Sequence, residues 1–241
     1  MKNALYISIV ALVISVVALA KGFMPASHSA SSVEASIGDI LNANPEFIIS
    51  AMQNYEVKMR EQSQAQAREM IKQNIDELNN NPNSPFAGPA NAKFVLVEFF
   101  DYACGYCQQL FPSLNQVLAQ NSDVKVVYKP LAFVSQASEY AARAALAANE
   151  QGKFKEMHTA LFTVQGPLTE AKINELAGKI GLNVDKLKKD IQSDKVTQIL
   201  VANNELAGRV QIGGVPTLIL NGDMLQTLDA GIIQDAINRL R

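Results

Sequence analysis

Tryptophan is absent from the 241 residues, and cysteine and histidine occur only twice each. With no Trp and only 7% aromatic residues, the chain lacks the stacking platforms on which single-strand nucleic-acid binders rely. No block of basic residues stands out. The 21 basic and 23 acidic side chains leave a net charge of −2, so the electrostatic footprint of a nucleic-acid partner is missing. A structural zinc site needs about four ligands. Here Cys104, Cys107, His28 and His158 have no finger-like spacing, so no metal is expected. Hydrophobic residues at 48% and charged residues at 18% exclude an intrinsically disordered chain. The length suits one domain with an appendage, or two small domains. No internal repeat is present.

Charge is also missing from Ala4 to Ala20 (ALYISIVALVISVVALA), an apolar run that follows Lys2. Ala18-Leu19-Ala20 supplies a small-x-small cleavage pattern ahead of Lys21. The run reads either as a cleaved export signal or as a retained membrane anchor. Both readings place the remainder outside the cytoplasm, where disulfides persist.

Residues 21–45, rich in Ser, Ala, Gly and Pro, read as a linker with one short helical turn. Neither Gly nor Pro occurs from Glu46 to Asn80, and that segment reads as one long helix. Ile48, Met52, Tyr55 and Met59 form a narrow apolar seam along it, and apolar residues return at Met70, Ile71, Ile75 and Leu78. Both groups are expected on exposed helix in a monomer, which favours a partner surface. The alternative is a helix folded back on its own chain. NNNPNSPFAGPA (79–90) then punctuates the chain, and a boundary is placed near residue 85. The division is therefore 1–20, 21–45, 46–85 and 86–241.

The last segment alternates strand and helix. Lys93 to Phe100 reads as a strand covered on both faces, Gly105 to Gln120 as a helix, and Val124 to Tyr128 as a second strand. Helical patterns fill 135–209. Thr217 to Leu220 is a third strand, Asn221-Gly222 a turn, and a short fourth strand follows. Asp229 is placed to cap a final helix through Leu240. The fold class is α/β.

Both cysteines stand in FVLVEFFDYACGYCQQLF (94–111), at a strand end that opens a helix. The unpaired N–H groups and partial positive charge of a helix N-terminus favour a thiolate. Two residues between the sulfurs bring them close enough to bridge. Cys104 is expected to be exposed and nucleophilic. Cys107, one turn in, can attack a mixed disulfide and resolve it. An inert structural disulfide normally closes a longer loop. The pair therefore reads as redox-active.

Glu98 interrupts the apolar strand six residues before Cys104. Buried, its pKa rises, and it can accept the proton of Cys107 as that thiol attacks. On an uncovered sheet face it is an ordinary surface glutamate. In Gly213-Gly214-Val215-Pro216-Thr217, Pro216 opens a strand, where no ladder donor is needed. The residues alone leave its peptide bond open between cis and trans.

VEFFDYACGYC, the helical insertion and GGVPTLILNG resemble the thioredoxin superfamily, and more closely its DsbA-like periplasmic thiol–disulfide oxidoreductases, over about Phe86 to Arg241. The resemblance implies a thioredoxin fold with a helical insertion, preceded here by a long N-terminal helix. It implies Cys104 and Cys107 as the redox disulfide and Glu98 as the buried acid. It further implies a cis-proline loop in which Val215 and Pro216, with Gly105 and Tyr106 opposite, meet the substrate chain. The Gly105-Tyr106 dipeptide departs from the Pro-His of the strongest oxidases and is similar to that of the dimeric DsbC-type isomerases. Without a His beside Cys104, a less oxidising pair is implied. The segment 46–85 is similar to the N-terminal oligomerisation segments of some DsbA-like bacterial relatives.

The expectation is an exported, periplasmic disulfide oxidoreductase and isomerase with no dissociable cofactor. Its expected partners are unfolded or misfolded exported proteins with cysteines, a membrane redox partner, and further copies of itself, a dimer being favoured. Rival readings are a periplasmic chaperone or envelope scaffold with a secondary redox role, and a surface-attached envelope protein that uses the N-terminal helix.

Overall fold

The computed structural model describes residues 38–132 and 134–241. The apolar run at 4–20 and the linker up to residue 37 lie outside them. Among the described residues, no helix is long and apolar enough to cross a membrane.

Two compact units divide at Glu61. In the first, residues 38–43 are helical, and helix α1 (Glu46–Gln73) begins. The seam residues Ile48, Met52, Tyr55 and Met59 are exposed there, as are Phe47 and Ile49.

The second unit, Gln62–Arg241, holds the end of α1 and every later element. These are α2 (Ile75–Asn80), β1 (Phe86–Ala87), β2 (Phe94–Phe100), α3 (Gly105–Gln120), β3 (Val124–Pro130), α4 (Gln136–Asn149), α5 (Phe154–Thr163), α6 (Glu170–Lys179), α7 (Val184–Ile191), α8 (Asp194–Arg209), β4 (Thr217–Leu220), β5 (Asp223–Leu225) and α9 (Ala230–Arg239). The sheet order is β1-β3-β2-β4-β5. β2 and β3 are parallel, and the other pairs are antiparallel. This is a thioredoxin fold with five helices inserted between β3 and β4, as the sequence predicts. Asn221 and Gly222 both take positive φ in the tight turn joining β4 to β5. The Asp229 side chain accepts from the Ile232 N–H and caps α9.

The two faces of β2 are sealed by different parts of the chain. Phe94, Leu96 and Phe100 face a core built with α3, α9 and the inserted helices. Val95, Val97 and Phe99 face a second core that contains Ile71 and Leu78, each fully buried. The second apolar cluster of the N-terminal helix therefore does not lie on exposed helix awaiting a partner. It closes the reverse face of this chain's own sheet. The compact unit accordingly takes in much of the segment expected to serve association alone.

Helix 46–80 is also not continuous, because it breaks at Asn74. The Asn74 side-chain amide donates to the Met70 carbonyl at 2.8 Å and competes with the backbone ladder. Two lysines of β3 fasten the restarted turn. Lys129 Nζ donates to Glu77 O at 3.0 Å and Ser84 Oγ at 2.8 Å, and Lys125 Nζ donates to Asn79 O at 3.0 Å. Carbonyls at a helix C-terminus lack intrahelical partners and accept such cations well. The short strand β1, paired with Val126 and Val127, falls in a stretch read as linker, because two residues carry no periodicity. Gly88 ends it with φ 93°, where an added Cβ would collide with the Val124 carbonyl oxygen.

Candidate active site

β2 delivers the chain to the head of α3 through Asp101, Tyr102 and Ala103. Cys104 is the N-cap of α3, with extended backbone (φ −85°, ψ 118°). Its sulfur stands where the first N–H groups of the helix are unpaired. Cys104 is half-buried, Cys107 is sealed from solvent, and both are free thiols. Between them Gly105 is exposed and Tyr106 is 64% exposed, so the dipeptide faces outward.

The Cys104 thiol donates to the Val215 carbonyl at 3.5 Å. The Val215–Pro216 peptide bond is cis, as the resemblance implies. Pro216 precedes β4 and the Thr217 hydroxyl donates to Gly214 O at 2.7 Å, which closes the turn ahead of the strand. Residues 111 positions apart are thus brought to one spot. Val215 and Pro216 are half-buried there, beside the more accessible sulfur.

Cys107 is held in its thiol form. Burial pushes its pKa far above the ordinary range, a main-chain hydrogen bond from Asp101 acts against that rise, and Cys104 and the Glu98 charge reinforce it. Only one of the two sulfurs is thus both accessible and placed at a helix end. This asymmetry suits one nucleophile and one resolving thiol.

Glu98 lies on the same side of the sheet. It pairs with Tyr128 on β3 and Leu218 on β4, and both belong to the core that contains Cys107. Glu98 is 1% exposed, and neither carboxylate oxygen has a hydrogen-bond partner among the described residues. Burial raises its pKa to about 8. The surface-glutamate reading is excluded.

Three residues to which the sequence assigns no part in the site complete the surroundings. Asp101 is fully buried. It accepts the Ala103 N–H at Oδ1 (2.8 Å) and the Val134 N–H at Oδ2 (3.0 Å). An Asp just past a strand end, able to bond the N–H two residues on, is a recognisable Asx signal in the sequence. Tyr102 Oη and His158 Nδ1 are hydrogen-bonded at 2.9 Å. The His158 ring lies among Phe100, Phe111, Tyr128, Phe154 and Phe162. Burial holds it neutral, its pKa lowered to about 3. Burial, and then the Glu98 charge, push the Tyr102 and Tyr128 hydroxyls well above their ordinary range. His158 was weighed in the sequence only as a metal ligand. Its helix spacing from Phe154 and Leu161 marks it as a core position.

The model of the DSBA-like thioredoxin domain family matches residues 95–231. Among curated proteins, the Na(+)/H(+) antiporter NhaA 3 of Salinispora tropica is 31% identical over 137 residues, covering 56% of this chain and 21% of that protein. The chain spans about a fifth of the length of the curated relatives it matches, and the antiporter name belongs to those longer proteins. Among solved structures, a thioredoxin-like oxidoreductase from Silicibacter pomeroyi is 31% identical, with TM-score 0.66, covering 69% of this chain and 96% of that one. Proteus mirabilis ScsC in a transitional conformation is 29% identical, with TM-score 0.66, covering 87% of this chain and 95% of that one.

Proposed function

The chain belongs to the DSBA-like thioredoxin domain family of thiol–disulfide oxidoreductases, and from that premise we propose that it is an exported enzyme that forms and rearranges disulfides in secreted and envelope proteins through Cys104 and Cys107. The observation that carries this reading is the asymmetry of the two sulfurs. Cys104 is accessible at the α3 N-terminus beside the Val215 carbonyl, and Cys107 is sealed behind it.

In the rearranging direction the Cys104 thiolate attacks a client disulfide. A Cys104–client disulfide forms and one client thiolate leaves. Either that thiolate, or another in the client, attacks the mixed disulfide and frees Cys104, or Cys107 does so. When Cys107 attacks, the Cys104–Cys107 disulfide forms and the client is reduced by two electrons. In the oxidising direction a client thiolate attacks Cys104 Sγ and expels Cys107, and a second client thiolate then releases the new client disulfide. The expelled Cys107 sits where burial disfavours its anion, so it needs a proton. Glu98, titrating at about 8, donates that proton as a neutral acid and takes it back as a carboxylate when Cys107 attacks. A group poised near the working pH serves both directions. Val215 and Pro216 offer main chain to the client segment, and Gly105 and Tyr106 line its approach. No dissociable cofactor takes part.

The exposed row Ile48, Met52, Tyr55 and Met59 supports self-association. Burying each large side chain is worth roughly 1.5–3 kcal/mol. A cleft between copies would hold a misfolded client while Cys104 samples its disulfides. Residues 1–20, as a cleaved signal or an anchor, place the chain in the periplasm, where a membrane redox partner sets the direction of electron flow. The same exposed row favours a second reading, a chaperone or envelope scaffold in which the thiols are secondary.

Equilibration with glutathione, read by alkylation and gel shift, gives the reduction potential of the pair, and reactivation of a scrambled client gives isomerase activity. A variant without cysteines that assists the client as well as the wild type does would establish the chaperone reading and overturn the enzymatic one. A monomer in sedimentation would overturn self-association.

A further inference from the structure

We propose that Asp101 is a positioning residue for the Cys104–Cys107 pair: its carboxylate clamps the turn that carries Cys104 to the loop that enters helix α4. The proposal rests on the thiol–disulfide reading above.

Four attachments of Asp101 bear on this turn. Oδ1 takes the Ala103 N–H at 2.8 Å, and the main-chain carbonyl takes the Cys104 N–H at 3.0 Å. The main chain also bonds Cys107. The fourth bond leaves the motif: Oδ2 takes the Val134 N–H at 3.0 Å, 33 positions along the chain. The Leu131 N–H donates to Phe100 O at 2.7 Å, so the loop from β3 is pinned to the end of β2 at two points. Ser135 then begins α4 with a capping box to Ser138. The inserted helices are registered to the redox motif through this carboxylate.

Glu98 and Asp101 are both buried and lie on the same few residues of chain, yet their surroundings are opposite. Glu98 has no hydrogen-bond partner for either oxygen among the described residues. Asp101 is committed to backbone N–H groups on both oxygens. A carboxylate bound in this way orients what it holds. It fixes the turn that sets Cys104 at the N-terminus of α3. The dithiol–disulfide equilibrium depends on how well the thiolate is held there. A slack turn removes that support from the reduced form and shifts the pair toward its disulfide.

The test is the equilibrium of the purified protein with glutathione, in which two glutathione thiols and the protein disulfide exchange with glutathione disulfide and the protein dithiol. Asp101→Ala is expected to move this constant toward the protein disulfide by about tenfold, ~30 mV for a two-electron couple. Asp101→Asn keeps an acceptor for Ala103 but none for Val134, and is expected to move the constant in the same direction by a smaller step, about threefold. An unchanged constant in Asp101→Ala overturns the proposal. So does an Asp101→Asn shift as large as the alanine shift, which would implicate the charge alone. Should the alanine variant fail to fold, amide exchange in Asp101→Asn decides. Faster exchange at Val134 with Ala103 still protected, together with a constant moved toward the disulfide, supports the clamp, and an unaltered Val134 amide or an unaltered constant overturns it. The equilibrium needs no client. A wild-type pair that equilibrates normally in a chain inactive on every client therefore counts against the proposed function, and the two variants still decide the clamp.

Discussion

At pH 7 the carboxyl group of Glu98 keeps its proton in the folded chain, where it titrates at about 8, and loses it in the unfolded chain, where the ordinary value is 4.5. Between those values the native state binds more protons than the unfolded state, so this group lowers stability as pH rises. Each unit of difference is worth about 1.36 kcal/mol. Integrated from the low-pH limit, the cost is about 1 kcal/mol at pH 5, about 3 kcal/mol at pH 7, and levels off near 5 kcal/mol above pH 8. Glu98→Gln keeps the shape and removes the titration. The reduced variant is therefore expected to gain about 2 to 3 kcal/mol on the wild type between pH 5 and pH 7. Other buried groups titrate too, but they are common to both proteins and cancel in the difference. Urea unfolding followed by far-ultraviolet circular dichroism measures it, a probe suited to a chain without Trp. Two stability curves that run parallel from pH 5 to pH 8 would refute a buried, unpartnered carboxyl. The same variant is expected to slow exchange and to lose the limb of the pH–rate profile near pH 8. If it is stabilised as described but catalytically unaltered, Glu98 does not move the Cys107 proton.

Cys104→Ser should abolish disulfide exchange, whereas Cys107→Ser should trap mixed disulfides visible on non-reducing gels. Faster alkylation of Cys107 than of Cys104 in the reduced protein would reverse the two roles. A chain starting at Gln62 should be folded and redox-active, and one starting at Ser84 should be poorly folded. The shorter chain loses Ile71 and Leu78 from the second core, roughly 3–6 kcal/mol of burial against a typical total of about 5–15 kcal/mol. Equal thermal midpoints for the two truncations would show that the end of the N-terminal helix is dispensable to the domain. His158 titrates at about 3 when folded instead of the ordinary 6.5, so the unfolded chain binds the extra proton and stability falls as pH drops below 6.5. The loss is about 3 kcal/mol by pH 4, and His158→Phe should flatten that acid limb in urea titrations.

What the sequence disclosed and what it hid follow from the range of the forces involved. The run from Phe94 to Phe100 has no polar face apart from Glu98, and a strand apolar on both sides must be covered on both sides. That inference holds for every residue of β2, and the burial of Glu98 decides between the interior acid and the surface glutamate that the sequence leaves open. The strand-to-helix placement of the two cysteines, the Asn221-Gly222 turn and the Asp229 cap are likewise signals written within a few residues. The partner of a local feature is not so written. Nothing near Asp101 announces that its second oxygen bonds Val134, and nothing in the spacing of Ile71 and Leu78 tells a sheet of the same chain from a second copy. An apolar helix position records only that water must leave.

The N-terminal helix shows what a sequence needs to supply before that ambiguity closes. Its two apolar groups look alike as patterns, and the second has polar companions that bind it to the sheet. Asn74 and Glu77 meet Arg209. The carbonyls of Glu77 and Asn79 meet Lys129 and Lys125, and Lys129 is fully buried. A lysine in an otherwise apolar strand has to find acceptors within its reach. Lys129 sits opposite Phe99 on β3, on the face that Ile71 and Leu78 cover. That lysine, with the bare helix end it satisfies, is what commits the second group to this chain.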